Sequence, residues 1–192
     1  KFISGRKSII KSFRQHVWVA DQVNYGNQTS IITSQDIEND ASIRFSSALF
    51  QPFIEKEYEI RVTWMGGGYR ACKIIAKTSE AYVDWRPHAP NGDVELERIT
   101  LDDVTYQKCS ALMRILGLKF GCIDLIQAKN GKIVFLEVNE MGNFLWKEVM
   151  EPKLDMLSAF VSFVYTASKA ASPDSTTDCI SWENYVKADD PY

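Results

Sequence analysis

The dipeptide Asn130-Gly131 lies between two strand-like runs, Lys119 to Gln127 and Lys132 to Asn139, and it constrains this chain more than any other feature. Asn-Gly is the strongest short hairpin signal, because a two-residue primed turn needs positive φ at both central positions. With those two residues as the loop, Lys129 opposes Lys132, and counting back along both strands sets Asp124 directly across from Glu137. Period-two alternation then puts Asn139 on the same face as Glu137, diagonal to Asp124. Two carboxylates facing each other across a ladder repel. A cation between them removes the conflict. Asp, Glu and Asn supply hard oxygen ligands, and magnesium is usually held by one or two carboxylates, with water and phosphate completing the shell. The alternative is a solvated face on which acids happen to meet. The neighbours expected there, Phe120, Cys122, Ile126, Ile133 and Phe135, are apolar, and charge placed among apolar groups calls for a partner.

Other segments read as strands with supporting helices. Glu57 to Met65 alternates, with Tyr58, Ile60, Val62 and Trp64 on one face and Glu59, Arg61 and Thr63 on the other. Gly66 to Gly68 turns the chain, and Tyr69 to Lys77 returns as a second strand. Thr100-Leu-Asp-Asp103 predicts a capping box opening an amphipathic helix, with Val104, Cys109, Ala111, Leu112, Ile115 and Leu116 toward the core. A last helix is expected over roughly Pro152 to Ser168, with Leu154, Leu157, Phe160, Val161 and Val164 on one face. The class is α+β.

The 192 residues, 45% hydrophobic, suffice for one ordinary core or two small lobes. With 22 basic against 25 acidic residues, the net charge of -3 offers no field for gripping a nucleic-acid backbone. No apolar run is long enough to span a membrane as a helix. The cysteines (Cys72, Cys109, Cys122, Cys179) lack CxxC spacing, so no zinc site is expected, and three of them sit among apolar neighbours as packing residues. A reducing, cytoplasmic setting fits. His16 and His88 are isolated, and no Ser/His/Asp or Cys/His arrangement suggests a nucleophile. Glu59 with Arg61 reads on its own as a surface pair, and Asp84-Trp85-Arg86 as either a plugged turn or an arginine presented to an anion. Lys1 to Ser8 puts a lysine before a small basic turn able to cradle phosphate with backbone N–H groups.

Taken together, these stretches resemble the ATP-binding part of an ATP-grasp ligase, from Lys1 to about Val164. Phe50-Gln-Pro-Phe-Ile-Glu-Lys-Glu-Tyr-Glu-Ile-Arg-Val62 is similar to the family's hinge and following strand, and Gly121-Cys-Ile-Asp124 and Phe135-Leu-Glu-Val-Asn139 to its two metal-ligand strands. Ribosomal-protein glutamate ligases share this frame. Lys56 to Val62, Val83-Asp-Trp-Arg86 and Glu137-Val-Asn-Glu-Met-Gly-Asn-Phe-Leu-Trp146 are closer to the graspetide (microviridin-type) peptide-cyclising ligases.

The resemblance implies a partial ATP-grasp fold, with antiparallel sheets and flanking helices forming a nucleotide cleft. Residues 1–56 would belong to the smaller lobe, with the hinge beginning near 50. Residues 57–170 would form the carboxy-terminal lobe with the metal site, and 171–192 a polar tail. Lys1 would contact the α and β phosphates of ATP, with Ser4, Gly5 and the residues to Ser8 as the phosphate-covering turn. Gln51, Pro52, Phe53 and Ile54 would line the adenine edge, and Glu59 would lie near the ribose. Arg61 and Arg86 would face the γ-phosphate and the acyl-phosphate oxygens, while Asp124, Glu137 and Asn139 would hold Mg2+. The implied reaction is ligation of a carboxylate to a hydroxyl or amine through an acyl phosphate. The implied partner is a precursor peptide (leader plus core), cross-linked between its own side chains. The alternatives are a glutamate-type ligase acting on a peptide or protein terminus, and a nucleotide-binding fragment without turnover. Dimers occur in the family. The sequence departs from its relatives at Phe2, Pro52 and Glu140-Met141, and an amino-terminal lobe is expected before Lys1.

Overall fold

The structure, a computed structural model, describes residues 7–12, 17–20, 23–26, 28–38 and 47–171. The chain divides into two compact units, Lys1–Glu55 with Ala76–Val94, and Lys56–Ile75 with Glu95–Tyr192. In the first, β1 (Ser8–Ser12) is the middle strand of an antiparallel sheet, and β2 (Val17–Ala20) pairs with β3 (Val23–Gly26) as a separate hairpin. The flanks of β1 are β4 (Ser30–Ile31) and β5 (Ala48–Pro52), with the short helix α1 (Ser34–Glu38) between them in sequence. Pro52 ends β5 opposite Ser8, at a strand terminus where a missing N–H is tolerated.

In the second unit, β6 (Lys56–Met65) turns through Gly66 and Gly67, both at positive φ, into β7 (Gly68–Ala76). Helix α2 (Ser79–Val83) follows within the first unit, and the chain returns as β8 (Val94–Ile99). Helix α3 (Asp103–Ile115) leads to β9 (Phe120–Ala128) and β10 (Ile133–Asn139). The sheet order is β10-β9-β6-β7-β8. Short helix α4 (Trp146–Met150) and helix α5 (Met156–Ala171) complete the unit. Among the described residues no helix is long and apolar enough to cross a membrane.

The alternation expected in β6 holds: Ile60, Val62 and Trp64 are buried and join Ile123, Leu125, Cys109 and Met113 in one core. Burying each such side chain contributes about 1.5–3 kcal/mol. Cys72, Cys109 and Cys122 are buried free thiols, as their apolar neighbours suggested. The start and core face of α3 differ from expectation. Its N-cap is Asp102, whose carboxylate accepts from the Thr105 N–H at 2.9 Å and the Thr105 hydroxyl at 2.6 Å. The buried stripe is Thr105, Cys109 and Met113, while Val104 and Ile115 are 63% and 78% exposed. Cys109 lies on the expected face, whereas Val104 and Ile115, five and six residues from it, fall well away from its side at 3.6 residues per turn. Asp102→Ala should cost about 1 kcal/mol, measurable as a fall of about 2–4 °C in the melting temperature. The last helix also starts later than expected. Pro152–Leu154 is a 3-10 turn, and Asp155 at positive φ separates it from α5.

The β9–β10 hairpin reaches the expected pairing by another route. The Gly131 N–H donates to the Ala128 carbonyl and the Ala128 N–H to the Lys132 carbonyl, both at 2.9 Å. The loop is therefore three residues, with Gly131 (φ +80°) alone at positive φ. Pairing near the turn is slipped by one, as in Phe135↔Leu125. An irregularity between Phe135 and Glu137 absorbs Leu136 as a bulge and restores Glu137↔Asp124 and Asn139↔Cys122. Ile133 and Val138, five residues apart, consequently both pack on the core. Ile133 thus does not share the face of Glu137.

Candidate functional site

Opposite the core, the sheet register lines up two transverse rows. Cys72, Arg61, Asp124 and Glu137 form one across β7, β6, β9 and β10, and Arg70, Thr63, Cys122 and Asn139 form the next. Arg61 Nη1 donates to both oxygens of Asp124, at 2.7 and 2.5 Å. Its Nη2 reaches the Asn143 carbonyl at 3.4 Å, and its buried Nε has no hydrogen-bond partner among the described residues. Burial opposes the charge on Arg61, but the Asp124 carboxylate more than offsets this and holds the guanidinium pKa above its ordinary value. Asn139 donates through Nδ2 to Glu137 Oε1 at 3.1 Å, and Glu137 is exposed. Asp124 and Glu137 are close enough that the charge of one acts on the other.

This donor set fits magnesium. It offers two carboxylates and one amide oxygen, all hard ligands, leaving positions for water and phosphate. Among the described residues no group of three or more His, Cys, Asp or Glu side chains is arranged to hold a metal by itself. The unpaired Arg61 Nε, a buried donor, marks where an acceptor is wanted.

Sequence reasoning missed Lys147. This first-turn residue of α4 is fully buried, and its ammonium donates to Thr63 Oγ1 at 2.7 Å, one row from Arg61. Burial holds its pKa below the ordinary lysine value, and Cys72, Cys122, Arg61 and Asp124 all act on it electrostatically. Burial likewise pushes the Cys72 thiol up to about 11, so it is an unreactive packing group. Gly142 is also part of the site. A Cβ there would lie 2.6 Å from Cys122 Cβ and 3.2 Å from Arg61 Nη2, so only glycine lets the 140–145 turn lie on the sheet.

Glu59 shares the Arg61 face of β6 and is ion-paired with Lys56. In the first unit, Gln51 and Pro52 end β5, and Phe53 and Ile54 follow it. The Phe53 N–H is committed to the Lys7 carbonyl at 2.9 Å, and Lys7 Nζ lies 4.2 Å over the Phe53 ring. Arg86 forks onto Asp84, with Nε to Oδ1 at 2.8 Å and Nη2 to Oδ2 at 2.7 Å. Asp84 is buried, which disfavours its charge, yet Arg86 and the Thr29 N–H hold its pKa below the carboxylate norm. Lys1, Ser4, Gly5, His16 and the tail from 172 lie outside the described residues.

No protein-family model matches the chain. Its fold matches solved structures. One is a RiPP-associated ATP-grasp ligase from Chryseobacterium gregarium in complex with ADP and a leader and core peptide (TM-score 0.78, 22% identity, covering 86% of this chain and 50% of that one). Another is the macrocyclase MdnC of Microcystis aeruginosa MRC bound with precursor peptide MdnA (TM-score 0.68, 22% identity, 85% and 48%). A D-alanine–D-alanine ligase from Bacillus anthracis matches at TM-score 0.52 and 14% identity, covering 88% and 57%. The chain spans about half the length of these structures. Its fold is the ATP-grasp fold, in part, and its structural neighbours include ligases of the peptide-modifying kind.

Proposed function

We propose that this chain carries the nucleotide and metal site of an ATP-dependent ligase that joins a carboxylate to a hydroxyl or amine, forming side-chain ester or amide cross-links in a precursor peptide. The observation that carries this reading is the row Arg61, Asp124, Glu137 with Asn139 beside it, on a partial ATP-grasp fold. A substrate carboxylate attacks the γ-phosphorus of ATP, and ADP leaves. The peptide hydroxyl or amine then attacks the acyl carbon and expels inorganic phosphate, its proton passing to solvent or to the phosphate.

Asp124, Glu137 and the Asn139 amide oxygen are the groups that would hold magnesium, which when bound neutralises phosphate charge. Arg61, on β6, is the residue proposed to take phosphoryl oxygens as charge develops on them, and the same role is proposed for Arg86. Because the Phe53 N–H already serves Lys7, the adenine contacts proposed for this segment fall to its other backbone groups. Glu59, anchored by Lys56, is assigned to the ribose. No enzyme nucleophile is needed. Alignment of the reactants and charge neutralisation supply the rate.

Calorimetric titration with a non-hydrolysable ATP analogue tests the site. Binding should require magnesium, and Asp124→Asn should weaken it by roughly a hundredfold, in keeping with the loss of a charged ligand. Magnesium-independent binding, or an unchanged affinity in the variant, would sink the assignment. Mass spectrometry of a peptide incubated with the protein, ATP and magnesium separates cross-linking, which removes one water per ring, from amino-acid ligation, which adds a residue mass.

A further inference from the structure

We propose that Arg61 is the resident counter-cation of Asp124 and competes with magnesium for that carboxylate, so that metal and nucleotide bind as linked ligands. The proposal rests on the magnesium-nucleotide reading above and adds how the site is kept ready. One guanidinium nitrogen, Arg61 Nη1, spans both oxygens of Asp124 at 2.7 and 2.5 Å, so neither is left without a cation. The pair is largely withdrawn from water, with side chains 13% and 17% exposed. A divalent ion reaching Asp124 would meet the guanidinium charge at close range, where water screens little. Arg61 must therefore give way.

An arginine removed from its carboxylate in a buried setting is strongly unfavourable unless another anion receives it. Phosphate oxygens match the guanidinium fork, and Arg61 Nε already stands buried without an acceptor among the described residues. The metal has the converse need. Two carboxylates and an amide leave an octahedral shell incomplete, and phosphates fill it. Each ligand alone meets a penalty that the other removes, and such coupling is reciprocal. Arg86, in the first unit, is also seated on a buried carboxylate, Asp84, there through a two-nitrogen fork.

The test is calorimetric titration of magnesium chloride alone into the wild-type chain, Arg61→Met and Arg61→Met/Asp124→Asn, with ADP titrated into wild type with and without magnesium. Arg61→Met should bind magnesium alone roughly tenfold tighter than wild type or better, the ordinary size of a coupling between linked sites, and Asp124→Asn in that background should abolish the gain. Equal magnesium affinity in wild type and Arg61→Met overturns the proposal. Arg61→Gln provides the same comparison if circular dichroism shows the methionine variant unfolded. Failure of ADP to bind under either condition overturns the nucleotide reading and with it the linkage, while the magnesium comparison still decides whether Arg61 competes for Asp124.

Discussion

Thr63→Val should destabilise the second unit by about 3 kcal/mol, far more than the loss of one hydroxyl usually costs. The Thr63 hydroxyl accepts from the fully buried Lys147 ammonium at 2.7 Å. Valine matches threonine in shape but leaves the buried cation without the acceptor it has among the described residues. For a chain of this size that corresponds to a fall of roughly 6–12 °C in the melting temperature. Lys147→Met, which removes the charge and keeps an unbranched side chain, should be close to neutral, since a buried charge replaced by an apolar group of similar volume often leaves stability unchanged or raised. The double variant Thr63→Val/Lys147→Met should accordingly be more stable than Thr63→Val alone. Urea denaturation of the four proteins measures this. If Thr63→Val lies within about 0.5 kcal/mol of wild type, the ordinary range for a neutral surface change, Lys147 is not the buried cation described.

Gly142→Ala should weaken magnesium-dependent nucleotide binding by roughly tenfold or more while costing about 1–3 kcal/mol of stability through overpacking. The added methyl would sit 2.6 Å from Cys122 Cβ and 2.7 Å from its Sγ, with Arg61 Nη2 at 3.2 Å. Backbone strain is not the cause, since Gly142 is not among the positive-φ residues. The 140–145 turn has to lift, taking with it the Asn143 carbonyl that receives Arg61 and the end of β10 that carries Asn139. Cys122→Ala removes Sγ but leaves its Cβ at the shorter distance, so it should rescue Gly142→Ala only in part, whereas Cys122→Gly should rescue it more fully. Calorimetry and thermal melts of the three variants distinguish displacement of the turn from a general loss of packing, which neither cysteine change would relieve.

Much of the second unit was legible because its signals are local. Period-two alternation in Tyr58 to Trp64 and the glycine turn at 66–68 announce β6 and β7. Asp124 was placed opposite Glu137 correctly from a loop that is one residue longer than supposed, the error being cancelled by the bulge at Leu136. Aspartate, glycine and turn chemistry are read within a few residues, whereas a bulge depends on what the whole strand packs against. Lys147 was invisible for the same reason. In Trp146-Lys-Glu-Val-Met150 the lysine is fully buried and Val149 is 77% exposed, the reverse of what polarity suggests. Only its acceptor Thr63, 84 positions away, explains the inversion. The pairing of Arg61 with Asp124 was equally hidden, since it follows from β6 lying beside β9, a neighbour relation that no turn announces.

The bulge at Leu136 divides the hairpin into two halves of different register. The turn-side half, with Phe135 opposite Leu125, carries its own register, and the half bearing Glu137 and Asn139 carries another. A natural insertion or deletion at the exposed loop around Lys129 to Gly131 can therefore be taken up as slack at Leu136, without turning Glu137 or Asn139 to the opposite face. Variation in hairpin length and constancy of the acidic row become separable traits, so the loop is free to diversify while the chemistry beneath it stays in register.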